Sequence, residues 1–70
     1  MEKVLASMAG NVWKVLVKEG DKVEEGQDVV ILESMKMEIP ITVEVSGTVQ
    51  SVKINEGDFV NEDDVLIIVE

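Results

Sequence analysis

Apolar positions along this chain recur at a spacing of two, in short bursts broken by glycine, proline and acidic residues. Val15 and Val17 form one such pair, Val29 and Ile31 another. In an extended strand residues two apart share a face, so each pair reads as the inner side of a half-buried strand. β-Branched residues dominate the bursts, as a pleated and partly covered surface favours. No segment carries a 3.6-residue apolar stripe, so no helix is predicted. The pattern predicts strands over 3–8, 11–17, 28–34, 36–39, 41–46, 48–54 and 65–69, with Val23 and Val60 in short bridging segments. Gly20-Asp21, Gly57-Asp58 and Gly26 mark tight turns between them. Pro40 has no N–H for a sheet ladder and should lie at a strand edge or between strands. Short strands at this spacing read as an all-β sandwich or flattened barrel.

The pattern also repeats. Shifted by 37 positions, residues 10–33 fall on residues 47–70 without a gap. Glu19-Gly20-Asp21 meets Glu56-Gly57-Asp58, and Gly10 meets Gly47. Two copies are too few to stack as a solenoid. A duplicated unit that cannot bury its own apolar face is expected to pack on its copy about a pseudo-two-fold axis. Positions apolar in both copies are the expected core: Val12/Val49, Val15/Val52, Val17/Ile54, Val23/Val60, Val29/Leu66 and Ile31/Ile68. Positions apolar in one copy only are expected at the periphery: Trp13 against Gln50, Leu16 against Lys53, and Phe59 against Lys22.

Composition narrows the chemistry more than the fold. Seventy residues suit one domain, residues 1–70, with a thin core, since a chain of this size buries only about 60% of its unfolded surface. There is no cysteine and no histidine, which removes disulfides, structural zinc and the usual bases and nucleophiles. The net charge of −9 disfavours nucleic acid and anionic lipid, both of which are bound through basic residues. No apolar run approaches the roughly 20 residues of a spanning helix, and Met1-Glu2-Lys3-Val4 does not resemble a secretory signal. The expectation is a cytoplasmic chain, monomeric in isolation, without a nucleic-acid or membrane partner.

One residue stands out against this background. Lys36 lies between Met35 and Met37, almost at the centre of the chain and between two strand segments that leave no room for a long loop. A two-residue hairpin there would have Met35 and Lys36 at its centre. The favoured turn of this kind needs positive φ at both central residues, normally Asn-Gly or Asp-Gly, so Met-Lys is a poor conformational choice. Such a misfit is a recognised sign of strain kept for function. The ordinary reading of a lone turn lysine is a solvated side chain, and of two methionines core filler. Neither explains all three residues at a tip. A projecting amine can form an amide with an activated carboxylic acid and then serve as a long swinging arm. Carboxylates at Glu33 and Glu38 favour the charged amine, not the nucleophilic one. The domain would therefore depend on a separate enzyme to acylate it.

Ser34-Met35-Lys36-Met37 resembles the (Ala/Ser)-Met-Lys-Met motif of the biotin/lipoyl attachment family, in its biotinyl branch. Val15 to Val23 and Glu56-Gly57-Asp58-Phe59-Val60 resemble that family's two Gly-Asp-x-Val segments. The resemblance covers essentially the whole chain. It implies a barrel-sandwich hybrid: two four-stranded antiparallel sheets with quasi-two-fold symmetry, the chain ends in one sheet and the lysine hairpin in the other. It implies that a biotin protein ligase joins biotin to Lys36 through an amide, with Met35 and Met37 as the flanking motif. It further implies a non-catalytic biotin carboxyl carrier that shuttles carboxybiotin between biotin carboxylase and carboxyltransferase subunits. Glu33, Ser34 and Glu38 are the candidates for ligase contact. Where carboxylase domains of the family often have Ala-Pro-Met-Pro-Gly, this chain has Ala6-Ser7-Met8-Ala9-Gly10, which points to small stand-alone members. Lipoyl domains of the same family usually place Asp-Lys-Ala at the tip. A lipoyl carrier, or one accepting both groups, is the neighbouring alternative. An unmodified β interaction module using Trp13, Leu16 and Phe59 is the alternative of another class; otherwise those three fill the barrel's rim.

Overall fold

The computed structural model describes all residues, 1–70, and contains strands and turns only. The strands are β1 (Glu2–Leu5), β2 (Gly10–Val15), β3 (Lys22–Val23), β4 (Asp28–Ser34), β5 (Met37–Thr42), β6 (Gly47–Val52), β7 (Phe59–Val60) and β8 (Val65–Val69). They form two four-stranded antiparallel sheets, ordered β1-β8-β6-β3 and β5-β4-β2-β7. A shift of 37 residues turns β1, β2, β3 and β4 into β5, β6, β7 and β8. The repeat therefore exchanges the two sheets, strand for strand. The flattened barrel expected from the strand pattern is the fold observed.

Four turns hold this frame, two in each half, and all are built alike. In 18–21, 24–27, 55–58 and 61–64 the fourth residue's N–H donates to the first residue's carbonyl, at 2.9–3.0 Å. The third residue has positive φ: Gly20, Gly26, Gly57 and Asp63. The fourth residue's side chain, Asp21, Gln27, Asp58 or Asp64, accepts from the first residue's N–H at 2.8–3.0 Å. The turns then reach across. Gly20 N–H donates to the Val49 carbonyl and Gly57 N–H to the Val12 carbonyl, at 2.9 and 2.8 Å. Each half thus caps a strand of the other, which is why neither half closes by itself.

Sixteen apolar residues form the buried core, and they fall into symmetry pairs without remainder: Val4/Ile41, Ala6/Val43, Val12/Val49, Val17/Ile54, Val23/Val60, Val29/Leu66, Val30/Ile67 and Leu32/Val69. Four of the six pairs expected in the core are there. Val15/Val52 are half-buried against its edge. The Ile31/Ile68 expectation is overturned: both are half-buried but lie outside the core cluster. The cause is a β-bulge. In β4 the partners of β5 jump from Asp28 to Val30, leaving Val29 as the extra residue, and Leu66 is extra in the same way in β8. A bulge shifts the alternation by one residue, so Val30 and Leu32 follow Val29 inward and Ile31 turns out. A second symmetric pair of bulges leaves Trp13 and Gln50 unpaired.

The segments 36–39 and 41–46 are one strand, Met37–Thr42, with Val43 and Val45 beyond it. Pro40 sits inside that strand. It is tolerated because β5 is an edge, paired with β4 alone. The first strand ends at Leu5, not at residue 8, and β2 and β6 each stop short of the expected 17 and 54.

Candidate functional site

The hairpin joining β4 to β5 has a two-residue turn. Ser34 and Met37 are the last paired residues, and Met35 and Lys36 lie between them with φ of 52° and 65°. Positive φ at both central positions is the type I′ geometry, whose twist matches the flanking strands. No glycine or asparagine eases it. For an L-residue this region costs on the order of 1–2 kcal/mol, so the tip is held there by the strands below. Met35 is 89% exposed and Met37 64%. Neither is the core filler that methionine usually supplies. Lys36 is exposed too, and the molecule's side-chain hydrogen bonds all lie elsewhere. Its side chain is therefore held by no hydrogen bond to the barrel.

The hairpin's base is built by its neighbours. Glu33 and Glu38 are direct cross-strand partners, both exposed, one register step below the tip. Like charges placed opposite one another in a sheet are destabilising, so this pair is a second local cost beside the strained turn. Ser34 is half-buried and pairs with Met37. Below it β2 approaches unusually closely: a Cβ on Gly10 would lie 2.8 Å from the Glu33 carbonyl oxygen. Only glycine lets β2 support the hairpin at that distance. Gly10 was not among the residues expected at the site. The signal was its identity with Gly47 in the other repeat, where a Cβ would strike the Glu70 carbonyl oxygen in the same way. Of the expected residues, the hairpin brings Glu33, Ser34, Met35, Lys36, Met37 and Glu38 together.

The repeat explains why only one such tip exists. The turn between β4 and β5 has its counterpart after β8 and before β1, where the two chain ends lie in adjacent strands of the other sheet. The tip is the only place where the halves are covalently joined.

The fold and the site together are a duplicated antiparallel barrel with one lysine on a strained two-residue hairpin. The family model "Biotin-requiring enzyme", for biotin/lipoyl attachment, matches residues 2–69, and the chain belongs to that family. A biotin/lipoyl attachment protein of Bacillus subtilis is 66% identical over 44 residues, which are 63% of this chain and 60% of that protein. The biotin carboxyl carrier protein of acetyl-CoA carboxylase from Solanum lycopersicum is 52% identical over 44 residues, 63% of each chain. The crystal structure of Kluyveromyces lactis urea carboxylase contains a region that superposes with a TM-score of 0.92 at 32% identity, over 99% of this chain and 6% of that one. The matched segment thus spans about three-fifths of the first relative and a small part of the large carboxylase.

Proposed function

We propose that this chain is a biotin carboxyl carrier and that Lys36 is the residue to which biotin is attached. The observation that carries this reading is the type I′ tip, which projects the one lysine flanked by two exposed methionines. Biotin on that amide would hold a carboxyl group between the subunit that loads it, a biotin carboxylase, and the carboxyltransferase that unloads it. The chain's own part is mechanical. β4 and β5 fix the direction of the arm, Gly10 lets β2 brace the base, and the side chain of Lys36 adds a flexible stem. The exposed tip gives a biotin protein ligase access to Nζ, and Glu33 and Glu38 would help orient it against a basic ligase site. The side chains beside Lys36 in the hairpin are two methionines and the carboxylates of Glu33 and Glu38, and the chain has no histidine or cysteine to serve as a base. Activation is therefore the ligase's task and carboxylation the partner subunits'; the carrier catalyses neither.

The name of the Bacillus subtilis relative, which covers both groups, supports a second reading: the same lysine accepts lipoyl as well. Intact mass after production in a bacterium supplied with biotin and lipoate separates them. A biotinyl shift lost in Lys36→Arg is the expected result. A lipoyl shift would move the protein to oxidative 2-oxo acid chemistry, and a shift that survives in Lys36→Arg would remove Lys36 from the site. The reading also has the isolated chain monomeric and cytoplasmic; sedimentation should give one species near 7.7 kDa.

A further inference from the structure

The internal repeat supplies a control for every surface residue, and the two outer faces fail to match. On the sheet that carries Lys36, the outward positions include Trp13, Leu16, Pro40 and Phe59. Their counterparts on the other sheet, 37 positions away, are Gln50, Lys53, Lys3 and Lys22. The backbone is the same in both places, down to the bulge at Trp13 and Gln50. Barrel geometry therefore does not call for the apolar residues. Nor do they seal the rim: Trp13, Leu16 and Phe59 are 43, 47 and 62% exposed. Half-exposed Ile31 pairs with both Pro40 and Lys14, so the apolar residues lie on one continuous face across β5, β4, β2 and β7. Lys14 stands over the Trp13 ring, its Nζ 5.6 Å from the ring centroid.

This face is continuous with the hairpin. Phe59 is the register partner of Asn11, Asn11 of Glu33, and Glu33 of Glu38. From the tip outward Lys36 comes first, then the row of Phe59, Asn11, Glu33 and Glu38, then Trp13, Ile31 and Pro40, and last Leu16, level with Val29. At about 3.3 Å per residue the rows of Phe59 and of Ile31 lie roughly 8–15 Å along the strands from the tip, and Leu16 lies about 20 Å away. A protein interface of ordinary size covers about 800 Å² on each partner, a disc reaching about 16 Å from its centre. An enzyme centred on Lys36 and approaching on this side would cover Phe59, Trp13 and Pro40, with Leu16 just outside its edge.

We infer that this face is the docking surface for the ligase that acylates Lys36, through a complementary apolar surface rimmed by basic residues. The inference rests on the proposed attachment of biotin at Lys36. Two arguments from reach favour the ligase over the carboxylase subunits. The ligase must bring its acyl-adenylate to Nζ itself, within the length of one lysine side chain, and so must lie against the hairpin's flanks. The subunits that act later meet the far end of a longer arm and do not have to touch the barrel there. The acidic pair beside the tip, in the same row as Phe59, then sets the sign of the rim, on a chain of net charge −9.

The repeat also designs the test. The triple variant Trp13→Gln, Leu16→Lys, Phe59→Lys gives the lysine-bearing sheet the side chains its copy already tolerates, so folding should be kept. The mirror variant Gln50→Trp, Lys53→Leu, Lys22→Phe is the control. With a purified biotin protein ligase, ATP and biotin, transfer to the wild-type chain is timed by intact mass. If wild type acquires no group at Lys36, the carrier reading fails before the docking reading is reached. Given wild-type transfer, the triple variant should raise KM for the carrier at least tenfold with kcat within twofold, and the mirror variant should match wild type. An unchanged KM in a folded triple variant overturns the inference. So does a loss confined to later carboxylation of fully biotinylated protein, which would give the face to the carboxylase. So does a wild-type dimer that the triple variant dissolves while ligation is unaffected, which would give it to a second copy.

Discussion

The two halves of this barrel bury apolar residues at the same inward positions and carry different outward ones. Val12 answers Val49, Val17 answers Ile54, Leu32 answers Val69, and every core residue has its partner. The paired bulges and the glycines at 10 and 47 also coincide. The departures that change the chemistry of the surface lie at exposed positions and at the tip. One half ends in a strained two-residue tip with Lys36; the other opens at the chain ends. The interior sets what the backbone is, and the broken symmetry marks where we propose that this chain meets other molecules.

That comparison is sharpened first at its tightest contacts. Gly47→Ala should cost about 3 kcal/mol, because its Cβ would meet the Glu70 carbonyl oxygen and Val69 Cγ1 together. Gly10→Ala should cost less, about 1–2 kcal/mol, since its only contact under 3 Å is the Glu33 carbonyl oxygen at 2.8 Å. Urea melts give both values. The two should differ in a second way: Gly10→Ala moves the base of the hairpin and should slow biotin transfer to the folded protein, whereas Gly47→Ala should not. Next, Val12→Ala and Val49→Ala, both 2% exposed, should each cost about 2 kcal/mol. A gap of more than about 1 kcal/mol would break the claim that the interiors are equivalent. At the tip the sign reverses. Lys36→Gly should stabilise the fold by about 1 kcal/mol by relieving the left-handed backbone, while removing the proposed acceptor. Unchanged or lower stability would show that the turn is not strained. Smallest, Glu38→Gln should add about 0.5 kcal/mol by ending the cross-strand repulsion with Glu33. It should also slow ligation at low salt. That difference should vanish near 1 M salt, where the screening length is about 3 Å.

The fold class and the tip were legible in the sequence because each leaves a local signature. Alternating valines betray strands, a repeat betrays the pseudo-two-fold, and two strand segments without a gap require a two-residue turn. Residues 35 and 36 adopt the backbone that spacing demanded, whatever their own preference. The inward direction of single residues was less legible. Ile31 and Ile68 looked like core because alternation from Val29 and Leu66 points there, and a bulge leaves no mark in the pattern it interrupts. The repeat was traced only over 10–33 and 47–70. Its extension through β1 and β5 hides in dissimilar residues, Ala6 against Val43 and Lys3 against Pro40, and emerges only when Val4/Ile41 and Ala6/Val43 are seen buried as pairs. The role of Gly10 depends on a neighbouring backbone that no spacing reveals.

The central claim is that backbone geometry selects one of six lysines. Peptide mapping of the biotinylated wild-type chain tests it most directly. The account predicts the group on Lys36 alone, with Lys3, Lys14, Lys18, Lys22 and Lys53 unmodified although they share the same small surface. Biotin on any of those five in comparable amount would contradict it, because exposure would then suffice and the strained tip would select nothing.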